Sequence, residues 1–145
     1  SFLAGYLNFY FHLLFKNVIY VQNTAAGEIY EQMIHIGHGD VMVGISFPRY
    51  SNMGIHAIQL AHDRGADVVA ITDSQLSPLY PLATAALLVR CEALSYVDSL
   101  AAPLSLINAL ILAVGQRKRD EVAQVFADME QVWSKYSIFG KAEDE

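Results

Sequence analysis

Short apolar runs alternate along this chain with longer segments in which apolar residues recur every three or four positions. Four runs are rich in β-branched or aliphatic residues and predict strands at residues 18–21, 41–46, 68–72 and 86–90. None of them alternates apolar with polar residues, so each indicates a strand covered on both faces. Strands that alternate with helices are typical of a parallel sheet with crossover helices. We therefore predict an α/β fold, a three-layer α/β/α sandwich around a mostly parallel sheet.

Helical patterns fill the intervals between the strands, at residues 2–16, 25–36, 52–64, 99–116 and 120–137. In the last segment the apolar residues form one stripe opposite a charged face, which predicts an ordinary amphipathic helix. The first segment, "FLAGYLNFYFHLLF", is apolar nearly all round and needs cover beyond its own sheet. We expect a subunit interface to supply that cover, in a homodimer or higher homo-oligomer. The closing "GKAEDE" is expected to fray.

The length of 145 residues fits one domain, which we assign to residues 1–145. Fifteen acidic against nine basic side chains give a net charge of −6, which disfavours binding of this chain itself to DNA. The single cysteine, Cys91, excludes an internal disulfide and favours a reducing, cytoplasmic location. The apolar segments 1–15 and 99–116 lack the features of a signal peptide and of a membrane span, so no membrane partner is expected.

The stretch "VMVGISFPRYS" places two hydroxyls at the tip of a predicted buried strand. Ser46 lies at the carboxyl end of that strand, where open parallel sheets bind ligands. Ser51 is a natural N-cap for the following helix, whose free N–H groups and dipole favour an anion. Together these groups predict a phosphate site without the glycines of a P-loop. On spacing alone, simple strand-end and capping roles for the two serines stay open.

Other polar residues near this edge have two interpretations each. Arg49 suits a phosphate or a sugar carboxylate, or is a solvated loop residue. Asp73 ends the next strand and either accepts sugar hydroxyls or forms an Asx turn. Cys91 is expected to pack. The histidines of "HIGHGD" precede a strand at the edge opposite the site and are interpreted as loop residues, so we expect neither a metal nor a cofactor.

The segments "GDVMVGISFPRYS" and "AHDRGADVVAITDSQLSPLYPLA" resemble the sugar isomerase (SIS) domain of RpiR-type (MurR/RpiR family) bacterial transcriptional regulators, and the resemblance covers nearly the entire chain. The linked matches are "ISFPRYS", "RGA", "ITDS" and "SPL", in that order. The resemblance implies a flavodoxin-like SIS fold and a phosphorylated sugar as ligand. The family's S-x-S-G-x-T loop maps onto Ser46, Pro48 and Ser51, and Pro48 departs from it by lacking a hydroxyl and a backbone N–H.

The same resemblance bears on the start of the chain. Ser1-Phe2-Leu3-Ala4 is similar to the end of the family's first strand-to-helix loop, which implies that the first strand precedes this chain. That strand would be central and would lie beside the strand ending at Ser46, so that Ser1 faces Ser46. A helix-turn-helix domain is expected farther upstream in the natural protein, and DNA would be contacted only through it. Together with the residues considered above, the predicted ligand-binding residues are Ser1, Ser46, Phe47, Arg49, Ser51 and Asp73.

The sequence is compatible with three functions. We favour a sensor of a phosphorylated sugar that modulates an attached DNA-binding domain, because sensing requires only binding. An aldose–ketose isomerase needs a positioned base, for which Glu92, His56 and Asp73 are candidates, but they form no recognisable pair, so we assign no catalytic residue. A dimerisation module without a ligand is the third possibility, because Pro48 removes two donors.

Overall fold

The computed structural model describes residues 1–22, 27–91, 93–94 and 97–139. Its helices are α1 Phe2–Leu14, α2 Glu28–Gln32, α3 Asn52–Asp63, a 3-10 helix Tyr80–Leu82, α4 Ala101–Arg117 and α5 Arg119–Tyr136. Its strands are β1 Val41–Ile45, β2 Asp67–Thr72, β3 Ala85–Leu88, β4 Ala93–Leu94 and β5 Val97–Asp98.

The central sheet has the order β1-β2-β3, and both pairings are parallel. Val41 lies opposite Asp67, and Ile71 lies opposite both Ile45 and Leu87, so the carboxyl ends of the three strands meet at one edge. The predicted parallel sheet and three of the four predicted strands are thereby confirmed. β4 and β5 form a separate antiparallel ribbon that the sequence did not predict.

Successive residues of β2 point to opposite faces of the sheet and build two separate cores. Val68 and Ala70 pack with α2, α3 and Leu79 on one face. Ile71 packs with α1 and Ile107 of α4 on the other. Helices therefore cover both faces, which is the predicted three-layer architecture, and α5 lies outside against α1 and α4.

Gly44 sets how closely α3 approaches the sheet. It is the buried residue of β1, and a Cβ at this position would lie 3.0 Å from Cγ1 of Ile58 on α3. Ile58 itself is buried against the sheet. The absence of a side chain at Gly44 lets α3 pack closely against β1, and the loop from Ser46 to Ser51 joins these two elements.

The prediction of a strand at residues 18–21 is wrong. This segment forms no ladder with any described strand, and β1 pairs with β2 alone among the strands that the structure describes. Ile19 and Val21 line a groove of about 150 Å³ together with residues of β1, and no backbone hydrogen bond joins the two segments within the described residues. The segment is held instead by the Tyr20 hydroxyl, which donates to the Ser1 carbonyl oxygen, and by two hydrogen bonds between Gln22 and Gln32.

Other boundaries differ from the predictions by smaller amounts. The helix predicted over 25–36 is helical only at Glu28–Gln32, and its first predicted residues, Ala25 and Ala26, lie outside the described part of the chain. Past this helix, the Ile34 carbonyl oxygen accepts a hydrogen bond from the Arg64 guanidinium instead of continuing the helical pattern. The strand predicted at 86–90 is Ala85–Leu88. The tail at 140–145 also lies outside the described residues.

The apolar first helix receives part of its cover from within the chain. α1 packs against the sheet through Leu3 and Leu7, and it also contacts α4 and α5. Phe2 and Phe9 nevertheless remain 71% and 62% exposed. No helix in the described residues is long and apolar enough to cross a membrane.

Candidate functional site

Ser46 follows β1 directly and is held in place through its backbone. Its N–H donates to the Ile71 carbonyl oxygen at 3.1 Å, and its own carbonyl oxygen accepts from the Thr72 hydroxyl at 2.7 Å. Thr72 is fully buried and shares a further 2.7 Å hydrogen bond with the hydroxyl of buried Ser77. The "ITDS" and "SPL" motifs thus fix the position of Ser46 from the neighbouring strand.

Ser51 and Ser1 are the N-caps of α3 and α1. The Ser51 hydroxyl oxygen accepts from the Gly54 N–H at 3.4 Å, and the Ser1 hydroxyl oxygen accepts from the Ala4 N–H at 3.3 Å. Each hydroxyl proton remains available to a ligand, since the cap uses only an oxygen lone pair. The first N–H groups of both helices have no acceptor within their own helix. The capping role expected of Ser51 is present, and it leaves the hydroxyl free to donate.

These serines open onto one cavity of about 710 Å³ at the carboxyl edge of the sheet. Its described lining residues are Ser1, Phe2, Leu3, Ile45, Ser46, Phe47, Pro48, Arg49, Ser51, Cys91, Asp98 and Leu100. Five of the six predicted ligand-binding residues therefore share the cavity. Asp73, the sixth, is not among its lining residues.

Asp73 joins two loops instead. Its carboxylate accepts a 2.5 Å hydrogen bond from the Tyr50 phenol and a further one from the Ser74 hydroxyl. Partial burial acts to raise the pKa of Asp73, but the hydrogen bonds, that from Tyr50 foremost, outweigh it and leave the pKa below its ordinary value. Burial and the adjacent carboxylate raise the pKa of Tyr50. The Ser74 hydroxyl oxygen accepts from the Leu76 N–H at 3.3 Å, so the turn observed here is centred on Ser74, and the Asx-turn interpretation of Asp73 stays a prediction.

Arg49 lies on the cavity wall in an unusual backbone conformation. Its φ of 69° falls in the left-handed region, which costs a non-glycine residue about 1–2 kcal/mol. Its guanidinium contacts the Asp98 carboxylate at 3.2 Å, and the two side chains are 84% and 51% exposed. Asp98 is a lining residue that sequence reasoning missed, because it enters the site through the unpredicted β4–β5 ribbon.

Cys91 lines the cavity, and its side chain joins the segment before the β4–β5 ribbon to the residue after it. Its thiol lies 3.4 Å from the Ser99 carbonyl oxygen, to which it donates. Burial, together with the charges of Asp98 and Asp73, raises the pKa of the thiol above its ordinary value, so it is neutral at pH 7. Of the three candidate bases, Asp73 and the exposed His56 do not line the cavity. The third, Glu92, lies outside the described residues.

The "HIGHGD" segment lies at the opposite edge of the sheet, as predicted. The Asp40 carboxylate accepts from the Gly37 N–H at 3.0 Å and closes the loop before β1. The His38 ring packs over Gly65, whose φ of 81° requires a glycine or strains any other residue. Among the residues that the structure describes, no group of three or more histidine, cysteine or acidic side chains could hold a metal ion.

The family of SIS domains matches residues 1–113, well over half of the chain. The chain belongs to the SIS domain family. An uncharacterized HTH-type transcriptional regulator of Caldanaerobacter subterraneus subsp. tengcongensis is 29% identical over 109 residues, which are 72% of this chain and 39% of that protein. This SIS chain thus spans about two fifths of the length of its curated relative.

Two solved structures have the same fold as this SIS domain. The sugar isomerase domain of an RpiR transcription factor from Sphaerobacter thermophilus superposes with a TM-score of 0.81 and 21% identity, over 89% of this chain and 72% of that one. The Vibrio vulnificus NanR protein complexed with ManNAc-6P superposes with a TM-score of 0.76 and 20% identity, over 97% of this chain and 53% of that one. Two of these three similar proteins, the Caldanaerobacter relative and the Sphaerobacter structure, are named as transcription regulators.

Proposed function

We propose that this SIS domain is the effector-sensing domain of a bacterial transcriptional regulator. It binds a phosphorylated sugar or carbohydrate derivative in the serine-lined cavity and modulates the DNA binding of an attached domain in the cytoplasm. One observation carries the proposal: Ser1, Ser46 and Ser51 line a single cavity, and two of them are the N-caps at which α1 and α3 begin.

A phosphate suits this set of groups better than a neutral ligand does. Its oxygens accept several hydrogen bonds at once, and the three serines that line the cavity each carry a hydroxyl that can donate one. The positive ends of two helix dipoles add attraction for an anion. Arg49 brings a guanidinium, which pairs with phosphate in a two-pronged geometry and offsets the donors lost at Pro48.

The remaining walls suit the body of a sugar. Phe2, Phe47 and Leu100 contribute apolar surface beside the polar groups. The cavity volume of about 710 Å³ lies in the range of small-molecule sites. The ring of a phosphorylated hexose can contact these side chains while its phosphate lies among the serines.

The comparisons support the regulatory part of the proposal. The curated relative is an HTH-type transcriptional regulator and one superposed structure is the sugar isomerase domain of an RpiR transcription factor. The other superposed structure, the NanR protein, is complexed with ManNAc-6P. The relative is an HTH-type protein of which this chain matches 39%. We therefore infer a helix-turn-helix domain upstream of the SIS domain, which contacts DNA in place of this acidic chain of net charge −6.

The free edge of β1 supports the expectation of a further strand before Ser1. Within the described residues β1 pairs only with β2, and the groove on its other side is bordered by Ile19 and Val21. Asn8 borders the same groove, and its buried side-chain oxygen accepts no hydrogen bond from the described part of the chain. An upstream strand lying in this groove would pair with β1 and supply a donor near Asn8.

A homodimer completes the proposed arrangement. Phe9 on α1 and Phe126, Val132 and Tyr136 on α5 are exposed apolar side chains of two neighbouring helices. Exposed apolar side chains on neighbouring helices are the kind of surface that subunit interfaces cover. Ligand binding would modulate DNA binding by favouring one arrangement of the two subunits.

Phosphorus NMR with a panel of sugar phosphates, ManNAc-6P included, tests the proposal. A sensor broadens or shifts the resonance of one compound without producing new signals. New resonances that grow with time would identify an isomerase and would direct attention to Glu92 and to His56. No response from any compound would favour a dimerisation module.

A further inference from the structure

Arg49 and Asp98 bring together two separate parts of the cavity wall. Arg49 belongs to the loop after β1, and Asp98 ends the short β4–β5 ribbon. Their side chains form a single N–O contact at 3.2 Å, and both residues line the cavity. The backbone of Arg49 lies in the left-handed region (φ 69°), a conformation that an arginine rarely adopts.

The charges of this pair bear directly on an anionic ligand. Among the described side chains that line the cavity, Arg49 is the one cation and Asp98 the one carboxylate. While they are paired, the guanidinium is engaged by a carboxylate of the protein itself. A phosphate that enters the cavity needs the guanidinium and is repelled by the carboxylate.

We propose that Asp98 is an internal competitor of the ligand's phosphate: it holds Arg49 in the empty site and releases it when a phosphorylated sugar binds. This inference rests on the proposed function and identifies Asp98 as a residue that sets the affinity of the site. The exchange is feasible because the pair is exposed and joined by one contact, and such pairs are weak. A phosphate dianion can bind both prongs of the guanidinium and replaces the carboxylate with a stronger partner.

A short stretch of chain connects Asp98 to α4 and, through α4, to the outer helix α5. Asp98 is followed by Ser99, whose carbonyl oxygen accepts from Cys91, and by Leu100, which caps α4 and itself lines the cavity. α4 in turn packs against α1 and α5, which carry the exposed apolar side chains of the proposed dimer interface. A ligand that frees Asp98 therefore loosens the segment that leads into α4.

Titration calorimetry of Asp98→Asn with the sugar phosphate that responds in the NMR panel, and with inorganic phosphate, tests this inference. Removing the competitor should lower the Kd by up to about fivefold, the upper end of what the loss of an exposed ion pair gives. Asp63→Asn is the matched control, because it removes the same charge at the far end of α3. Its Kd should stay within a factor of about 1.5, since charges beyond about 10 Å are screened at 0.1 M salt.

The same pair of measurements in an Arg49→Gln background separates competition from simple repulsion. If Asp98 competes for Arg49, the gain from Asp98→Asn shrinks when Arg49 is absent. A gain that is equal or larger without Arg49 would mean that the carboxylate only repels the ligand and would overturn the inference. Hydrogen exchange gives an independent readout: the N–H groups of Ser99 and Leu100 should exchange faster with ligand, and faster in ligand-free Asp98→Asn.

Failure of this inference is distinguishable from failure of the proposed function. If the wild-type protein binds no member of the panel, the proposed function itself fails. If it binds a sugar phosphate but Asp98→Asn binds it equally or more weakly, the competitor role alone is overturned.

Discussion

The Tyr50 phenol donates a 2.5 Å hydrogen bond to the Asp73 carboxylate and ties the loop after β1 to the loop after β2. Thr72, next to Asp73, makes a second tie through the Ser46 carbonyl oxygen. The loop from Ser46 to Ser51 is therefore held at two points by residues at the carboxyl end of β2. A ligand meets donors that are already fixed in position, which lowers the entropy lost on binding.

Tyr50→Phe should lower the free energy of unfolding by about 1–2 kcal/mol at pH 7, because it removes a hydrogen bond to a partly buried carboxylate. The difference from wild type should shrink as the pH falls. The pKa of folded Asp73 lies below its unfolded value near 3.8, so the stability that it contributes is present above pH 4 and is lost as pH falls through the folded pKa.

The opposite sign holds at alkaline pH. The pKa of folded Tyr50 is raised above its ordinary value of 10.0, so its contribution to stability is fully present below pH 10 and is lost as the pH rises through the folded pKa. Urea unfolding at about pH 3, 5 and 7 checks the acid side. Tyr30→Phe, at an exposed tyrosine of α2, is the control. A Tyr50→Phe deficit that stays constant at all three pH values would contradict the role of Asp73.

Thr72→Val should cost about 1–3 kcal/mol of stability, because the Ser46 carbonyl oxygen and the buried Ser77 hydroxyl lose their partner without loss of volume. Sugar phosphate affinity should fall as well, since Ser46 loses one of its two backbone anchors. Thr72→Ser keeps the hydroxyl and should restore most of the affinity. Chemical unfolding and titration calorimetry measure the two effects. Equal affinity of the valine and serine variants would show that Thr72 does not position Ser46.

Gly44→Ala should destabilise the domain by about 1–3 kcal/mol through overpacking against Ile58. The double variant Gly44→Ala/Ile58→Val makes room for the new methyl group and should recover part of the loss. A double-mutant cycle by urea unfolding measures this coupling. Strictly additive costs would mean that α3 does not approach β1 as closely as the structure shows.

Phe9→Asp should convert the proposed homodimer to a monomer, because it places a carboxylate within an apolar interface. Light scattering at tens of micromolar measures the mass, and the melting temperature of the variant monitors its fold. Leu76→Asp is a control at an exposed apolar residue of the loop after β2. A wild-type protein that is already monomeric under these conditions would overturn the dimer proposal.

The sequence predicted the sheet, and it predicted most of the residues that share the candidate cavity, for a physical reason. Strands covered on both faces carry continuous apolar runs, and their carboxyl ends are followed by the residues that line the cavity, such as Ser46 and Ser51. The segment at 18–21 has the same composition but forms no strand, because a strand requires a paired neighbour and composition does not supply one. Asp98 was missed because its position depends on a two-residue ribbon too short to leave a pattern. Asp73 was placed at the correct edge, but sequence could not show that Tyr50 engages it.

The central claim is that a phosphorylated sugar binds through the serines at the end of β1. Titration calorimetry compares wild type with Ser46→Ala and with the control Ser105→Ala, whose hydroxyl bonds within α4. The account predicts that Ser46→Ala raises the Kd for the responding sugar phosphate about tenfold, as expected for one hydrogen bond to a charged group, with an unchanged melting temperature. Ser105→Ala should bind as wild type does. Equal affinity of wild type and Ser46→Ala would contradict the account.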